Sequence, residues 1–270
     1  MRTIGQRRGP IIIDNRQRWL FNGLRFWNCP SAIEPTGTDL LDFSVLQNKS
    51  AASGITVSTD WQQNGGKTAL YLNGSGAYLT TGNSGDSIFS GLKNVTFSCW
   101  VNFLSFSKAY NELLENSTGG NQYQFSALVK SNAKLAFYVI AQSTLQYYYD
   151  GTGSNTLSTN TWYNLVYVLE ANVRQSGYVN GLLDGSASTP ATDIASASAS
   201  LWIGKSTFGD RYPQCYIDDI KIWNRALTAG EIQRLYAGGR GFGLLNSIRR
   251  YPMNISTGNR RRRVLLTGEC

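Results

Sequence analysis

The chain has no histidine among its 270 residues. That removes the commonest general base, the commonest zinc ligand and the usual pH switch together. Cysteine is scarce: Cys29, Cys99, Cys215 and Cys270 lie far apart, without paired spacing. A disulfide scaffold would be denser, so the pattern predicts folding in a reducing compartment. No apolar run approaches the roughly 20 residues of a membrane-spanning helix. The opening MRTIGQRRGPIIID has three consecutive apolar residues after its charges. A secretory signal needs an apolar core of about 7–15, so export by that route is not expected. Charged residues make up only 16% of the chain, against 28 glycines and 12% aromatics. That balance favours short strands and tight turns over helices.

Acidic residues are nearly missing from both ends. Residues 1–25 hold six arginines and one acid, Asp14; residues 234–270 hold eight arginines and one acid, Glu269. The body between them is mildly acidic although the net charge is +8. The sequence therefore divides into a basic arm over 1–20, a folded body over 21–237 and an Arg-rich arm over 238–270. Basic ends suit an acidic partner.

Most of the body alternates in the manner of strands. In Val95 to Phe103, VTFSCWVNF, the residues Val95, Phe97, Cys99 and Val101 share one face, with Thr96, Ser98, Trp100 and Asn102 opposite. Trp19 to Phe21 and Leu24 to Trp27 read as a first strand. Ala69 to Leu72 and Ala77 to Thr81 read as a strand and its return around Asn73-Gly74-Ser75-Gly76. Further strands are expected over 123–129, 135–141, 145–149 and 161–169, then a turn at Asn180-Gly181 and a strand near Trp202. The stretch Gln214 to Tyr236, QCYIDDIKIWNRALTAGEIQRLY, ends the body. It places Tyr216, Ile220 and Ile222 on one strand face. Thr228 and Glu231 then form a T-x-x-E capping box for a short helix that Gly238-Gly239 stops. Regular short strands with one terminal helix predict an all-β, two-sheet antiparallel jelly-roll sandwich with a single core.

In order, ALYLNGSGAYL, TFSCWVNF, TWYNLVYVL, GYVNGLLDG, LWIG and YIDDIKIWNRALTAGEIQRLY resemble the laminin-G-like branch of the concanavalin A-like lectin/glucanase superfamily. The resemblance covers about residues 24–237. It implies two curved sheets face to face, and the tail after Leu235 is similar to laminin-G-like proteins of tailed phages and aquatic bacteria.

Glucanases of that superfamily carry E-x-D-x-x-E on a strand, which places acid and nucleophile on one face. No such string exists here; Glu112 and Glu115 in ELLE read as rim or loop carboxylates, so the chain is expected to be non-catalytic. Relatives often bind calcium near a rim through an acid in the turn after the ALYL strand. Here that turn has none, which leaves Asp218 and Asp219 as the candidate calcium ligands. For glycans, exposed aromatics beside polar groups are the useful residues. Tyr147, Tyr148, Tyr149 and Asp150 form one such candidate with Tyr212, which follows Phe208 and Asp210 in a loop. Trp100, Trp162, Trp202 and Trp223 read as core.

Arg7, Arg8, Arg249, Arg250 and the run Arg260, Arg261, Arg262 and Arg263 are the candidate docking residues of the arms. Apolar neighbours such as Phe242, Leu244 and Val264 suit a protein surface. Nucleic acid fits less well, because Tyr251 alone is placed for base stacking. The expected partners are an acidic capsid or tail protein, neighbouring copies of the chain, and surface glycans. The expected role is a structural or decoration protein of a virion, assembled in the host cytoplasm. The alternative is a carbohydrate-binding adhesion module.

Overall fold

A computed structural model of the chain describes residues 18–30, 39–40, 42–44, 46, 50–56, 60–81, 88–89, 92–117, 123–141, 145–151, 153–188 and 200–240. Two antiparallel sheets of eight strands each lie face to face. Sheet A holds β1 (Leu24–Asn28), β4 (Trp61–Asn64), β5 (Lys67–Asn73), β7 (Asn94–Phe103), β12 (Trp162–Glu170), β13 (Arg174–Val179), β14 (Leu182–Ser188) and β16 (Gln214–Trp223). Sheet B holds β2 (Asp39–Leu40), β3 (Ser50–Ser53), β6 (Tyr78–Thr80), β8 (Tyr110–Ser117), β9 (Tyr123–Lys130), β10 (Leu135–Ala141), β11 (Leu145–Asp150) and β15 (Ser200–Ile203). Helices α1 (Arg18–Phe21) and α2 (Ala229–Ala237) lie at the two ends of the described chain.

The alternation expected in β7 is what builds the core. Val95, Phe97, Cys99, Val101 and Phe103 point between the sheets, where they meet Phe125, Phe137 and Tyr167. Burying a large apolar side chain contributes about 1.5–3 kcal/mol, so this row is a main source of stability. Cys29, Cys99 and Cys215 are buried, and burial pushes the thiols of the last two well above the ordinary range.

Four expectations need correction. Residues 18–21 form a helical turn rather than strand, and α1 lies against Trp223, whose Nε1 donates to the Leu20 carbonyl at 2.7 Å. β5 and β6 are not a hairpin. Their connecting turn crosses from sheet A to sheet B, because Leu70 and Leu72 from one sheet and Leu79 from the other fill the same core. A second apolar layer exists: Leu20, Trp27, Val166, Trp223, Leu227, Ile232 and Leu235 pack under the two helices on the outer side of sheet A.

The fourth correction concerns β16. Cys215 and Ile217 point inward, and so do Ile220 and Ile222. An unbroken strand cannot do that, since its side chains alternate. The pairing with β7 slips between Asp218 and Lys221, and Asp219 has φ of 53°. This is a β-bulge with an aspartate in the left-handed region, which Asp and Asn enter more readily than other side chains. The bulge keeps the core continuous and puts Tyr216 on the outer side, where its hydroxyl donates to Gln62 at 2.7 Å.

The capping box forms as the sequence predicts. Thr228 Oγ1 accepts from the Glu231 amide at 3.3 Å, and a Glu231 oxygen accepts from the Thr228 amide at 2.8 Å. Arg225 then joins the helices. It donates to the carbonyls of Trp19 and Asn22 and forms a two-pronged pair with Glu231. Beyond α2, Arg240 sits 3.9 Å from the Trp162 ring centre and donates to the Asn64 and Gly65 carbonyls.

Candidate functional site

Three connections meet at one end of the sandwich and enclose an open cleft of about 700 Å3. The 73–76 turn forms one wall. Asn73 Oδ1 accepts from the amides of Ser75 at 2.9 Å and Ala77 at 3.2 Å, so the side chain caps its own turn. That presents Gly74 and Ser75 to the cleft. The link from β7 to β8 supplies Lys108. The link from β15 to β16 supplies Lys205, Ser206, Thr207, Asp210 and Tyr212. Lys108 and Asp210 form an ion pair between two of these walls. The Lys205 ammonium lies 4.3 Å from the Tyr78 ring centre and 5.5 Å from that of Trp202.

The underside of the third wall rests on two glutamates. Thr207 donates to Glu115 Oε1 through its amide at 2.9 Å and its hydroxyl at 2.6 Å. Arg211 stacks on Tyr110 at 4.4 Å, and its Nη1 is 3.8 Å from Glu112 Oε2. Ser126 donates to the other oxygen of Glu112. Both glutamates are fully buried in β8, near the middle of sheet B. The expectation of rim or loop carboxylates is therefore overturned. The physical reason is a register slip between Glu112 and Leu114. It sends both Leu113 and Leu114 into the core and turns both glutamates outward, beneath the 204–213 segment. Burial, and then the charge of Glu115, push the Glu112 carboxyl well above its ordinary 4.5, while Ser126 and Arg211 pull it only partly back.

Asp218 and Asp219 face a different chemistry. Asp219 Oδ1 accepts from Trp27 Nε1 at 2.8 Å and pairs with the Lys221 ammonium. Lys221 is 1% exposed and lies 4.8 Å from the Trp27 ring centre. Asp218 Oδ1 accepts from the amide of Asp219 at 2.8 Å. Calcium needs six to eight converging oxygens, whereas an ammonium already occupies the charged side of this bulge. The donor set does not fit calcium. Among the described residues no three His, Cys, Asp or Glu side chains gather as a metal site.

The remaining sequence candidates fall apart in space. Tyr212 and Asp210 line the cleft. Asp150 does not; it is exposed at the end of β11, accepting from Lys130 and from the Tyr138 hydroxyl at 2.9 Å. Tyr147, Tyr148 and Tyr149 pair through their backbone with Val139, Tyr138 and Phe137. Their side chains lie outside what the structure describes. Arg7, Arg8, Arg249, Arg250, Arg260, Arg261, Arg262 and Arg263 lie outside the described residues as well. Trp100 and Trp223 are buried, but Trp202 is half-buried and faces away from the core formed by Leu201 and Ile203. Sequence reasoning missed Lys108, Lys205, Ser206 and Thr207. The signal was present in KSTFGD, a polar run with both charges between two strands.

The chain belongs to the concanavalin A-like lectin/glucanases superfamily, whose laminin G model matches residues 72–233. No curated protein matches its sequence. Its fold is similar to the binding domain of botulinum neurotoxin serotype G, with TM-score 0.60 and 16% identity over 78% of this chain and 50% of that one. It is similar also to the binding domain of Paraclostridial Mosquitocidal Protein 1, with TM-score 0.61 and 14% identity over 79% and 52%. The chain thus spans about half the length of these toxin domains. A third similar structure is domain 4 of AbnA, an extracellular GH43 arabinanase from Geobacillus stearothermophilus, in complex with arabinotriose. There the TM-score is 0.59 and the identity 16%, over 79% of this chain and 98% of that one.

Proposed function

We propose that this domain is a non-catalytic glycan-binding module whose site is the cleft at the end of the sandwich. The observation that carries the reading is the cleft lining itself. The hydroxyls of Ser75 and Tyr212 stand beside the Lys108–Asp210 pair, with Ser206 and Thr207 completing the lining. Sugars are recognised by such groups, which fix the orientation of ring hydroxyls. The superfamily and the arabinotriose complex of the arabinanase domain support the same reading.

Burial speaks against a hydrolytic role for the two glutamates. Glu112 and Glu115 share a face, as a hydrolytic pair would, but both are fully buried beneath the Thr207 and Arg211 segment. A general acid must come within hydrogen-bond reach of the glycosidic oxygen. The test is a glycan array with the full chain, followed by titration of the best ligand. Asp210→Ala and Tyr212→Ala are expected to weaken binding at least tenfold, roughly one strong hydrogen bond each. A blank array, or unchanged affinity in both variants, would overturn the reading.

A second reading, a virion decoration protein docked through its basic arms, has one supporting observation. Helix α1, which opens at Arg18, and helix α2, which Arg240 follows, pack in one layer on the outer side of sheet A. An acidic capsid or tail protein, or a neighbouring copy, docked on that side would lie beside both ends of the described body. That role places assembly in a host cytoplasm. It is tested by native mass at low and high salt: an assembly that salt dissolves supports docking by charge, since added salt shortens the Debye length. A monomer under all conditions opposes docking between copies.

A further inference from the structure

We infer that the cleft selects glycans bearing an acidic group, a carboxylate or a sulfate, and that Lys205 is the residue that reads it. The inference rests on the glycan-binding proposal and adds the ligand's charge.

The charged groups of the lining are Lys108, Lys205 and Asp210. Lys108 and Asp210 are paired with each other, so their charges cancel. Lys205 has no carboxylate in ion-pair range among the described residues. Its ammonium is held instead over the rings of Tyr78 and Trp202. Ring faces attract a cation but leave its charge uncancelled. They also fix a flexible side chain, so less rotamer freedom is lost when a ligand arrives.

A neutral sugar closing over this ammonium would remove water and give back no counter-charge. An acidic group would supply a charge-assisted hydrogen bond at that position. Selectivity follows from that difference, because a site with an uncompensated polar group penalises the ligand that lacks its partner. Asp210 does not cancel the preference, since Lys108 already engages it.

The test uses the full chain and short oligosaccharides in three arms: an oligogalacturonide for carboxylate, a sulfated galactose oligomer for sulfate, and the neutral galactose oligomer as reference. Isothermal titration should show one or both acidic ligands binding about ten- to a hundredfold more tightly than the neutral one, the scale of one charge-assisted hydrogen bond. Lys205→Met should erase the preference for the acidic ligands, whereas Lys205→Arg should keep it. Melting curves confirm that each variant is folded. An acidic preference unchanged by Lys205→Met would place the recognition elsewhere, on the arginine arms, and would overturn the inference. Equal binding of acidic and neutral ligands would overturn it too and leave the glycan reading intact. No binding in any arm, on an array that is also blank, would sink both.

Discussion

Each sheet of the sandwich carries a pair of buried carboxylates at a β-bulge, and the two pairs are compensated differently. On sheet A, Asp219 meets a fully buried ammonium, Lys221, and an indole N–H. On sheet B, Glu112 and Glu115 meet hydroxyls, one amide and a guanidinium no nearer than 3.8 Å. Burial raises the carboxyl of Asp219 above its ordinary 3.8, against Lys221 and Trp27. For Glu112 burial acts in the same direction, and Glu115 adds to it rather than opposing it. Asp219 has a cation built in beside it, whereas the nearest cation to Glu112 stands 3.8 Å away. The first arrangement cements a face; the second holds up the wall of a cleft.

The largest expected effect is at Lys221. Lys221→Met strands Asp219 as an uncompensated charge in a buried bulge. Breaking a buried pair in this way costs about 3–5 kcal/mol. Adding Asp219→Asn should recover much of that loss, since Asn tolerates the left-handed backbone there and still accepts from Trp27. Urea denaturation of the two variants measures it. A loss below about 1 kcal/mol for Lys221→Met, the range of exposed pairs, would show that Asp219 is not held as an ion.

The second effect is a pH dependence at Glu112. Its folded carboxyl binds a proton more tightly than the unfolded one. Between the unfolded value near 4.5 and the raised folded value, the folded state holds the extra proton. Stability is therefore complete below about pH 4.5 and falls as pH rises through the folded value. One linked proton gives a limiting slope of about 1.4 kcal/mol per pH unit. Glu112→Gln mimics the neutral acid and keeps a carbonyl for Ser126. It should flatten the decline, leaving little difference from the parent at low pH and a higher melting temperature in mild alkali. Parallel pH curves for the two proteins would mean that Glu112 is already ionised in the fold.

Much of the fold was legible in the sequence, and less of the site. Val95 to Phe103 alternates without interruption, so its faces could be assigned from period alone. Thr228 and Glu231 announce their own hydrogen bonds, because a capping box is local. The bulges were not legible. In IDDIK and ELLE nothing in composition marks the extra residue, and one slip reverses every later side chain. That is why regular alternation puts Tyr216 on the face of Ile220, and why ELLE alone does not set both glutamates on one buried face. The β5–β6 turn failed for a related reason: a short Gly-rich turn does not reveal whether it joins neighbours in one sheet or crosses to the other. The cleft depends on the slip in β8 and on this turn. Its polar run, KSTFGD, was visible only as a loop until the 73–76 turn and Lys108 were brought beside it.

Arg211 gives the smallest effect and the most direct contrast with Lys221. Both are cations beside a raised carboxyl, yet Arg211 keeps 17% of its side chain exposed and stands 3.8 Å from Glu112 Oε2. If Glu112 is neutral, Arg211 contributes chiefly by stacking on Tyr110 and Phe208. Such stacking contributes about 0.5–1 kcal/mol at partly exposed sites. Arg211→Met keeps an apolar stem over the rings, so the cost should stay near 1 kcal/mol, several-fold below that of Lys221→Met. Affinity for a glycan should suffer more than stability, because Arg211 lies between Asp210 and Tyr212 and steadies both. Urea denaturation and a glycan titration on the same variant separate the two. A stability loss equal to that of Lys221→Met would mean that Arg211 neutralises an ionised Glu112, and the difference between the two sheets would disappear.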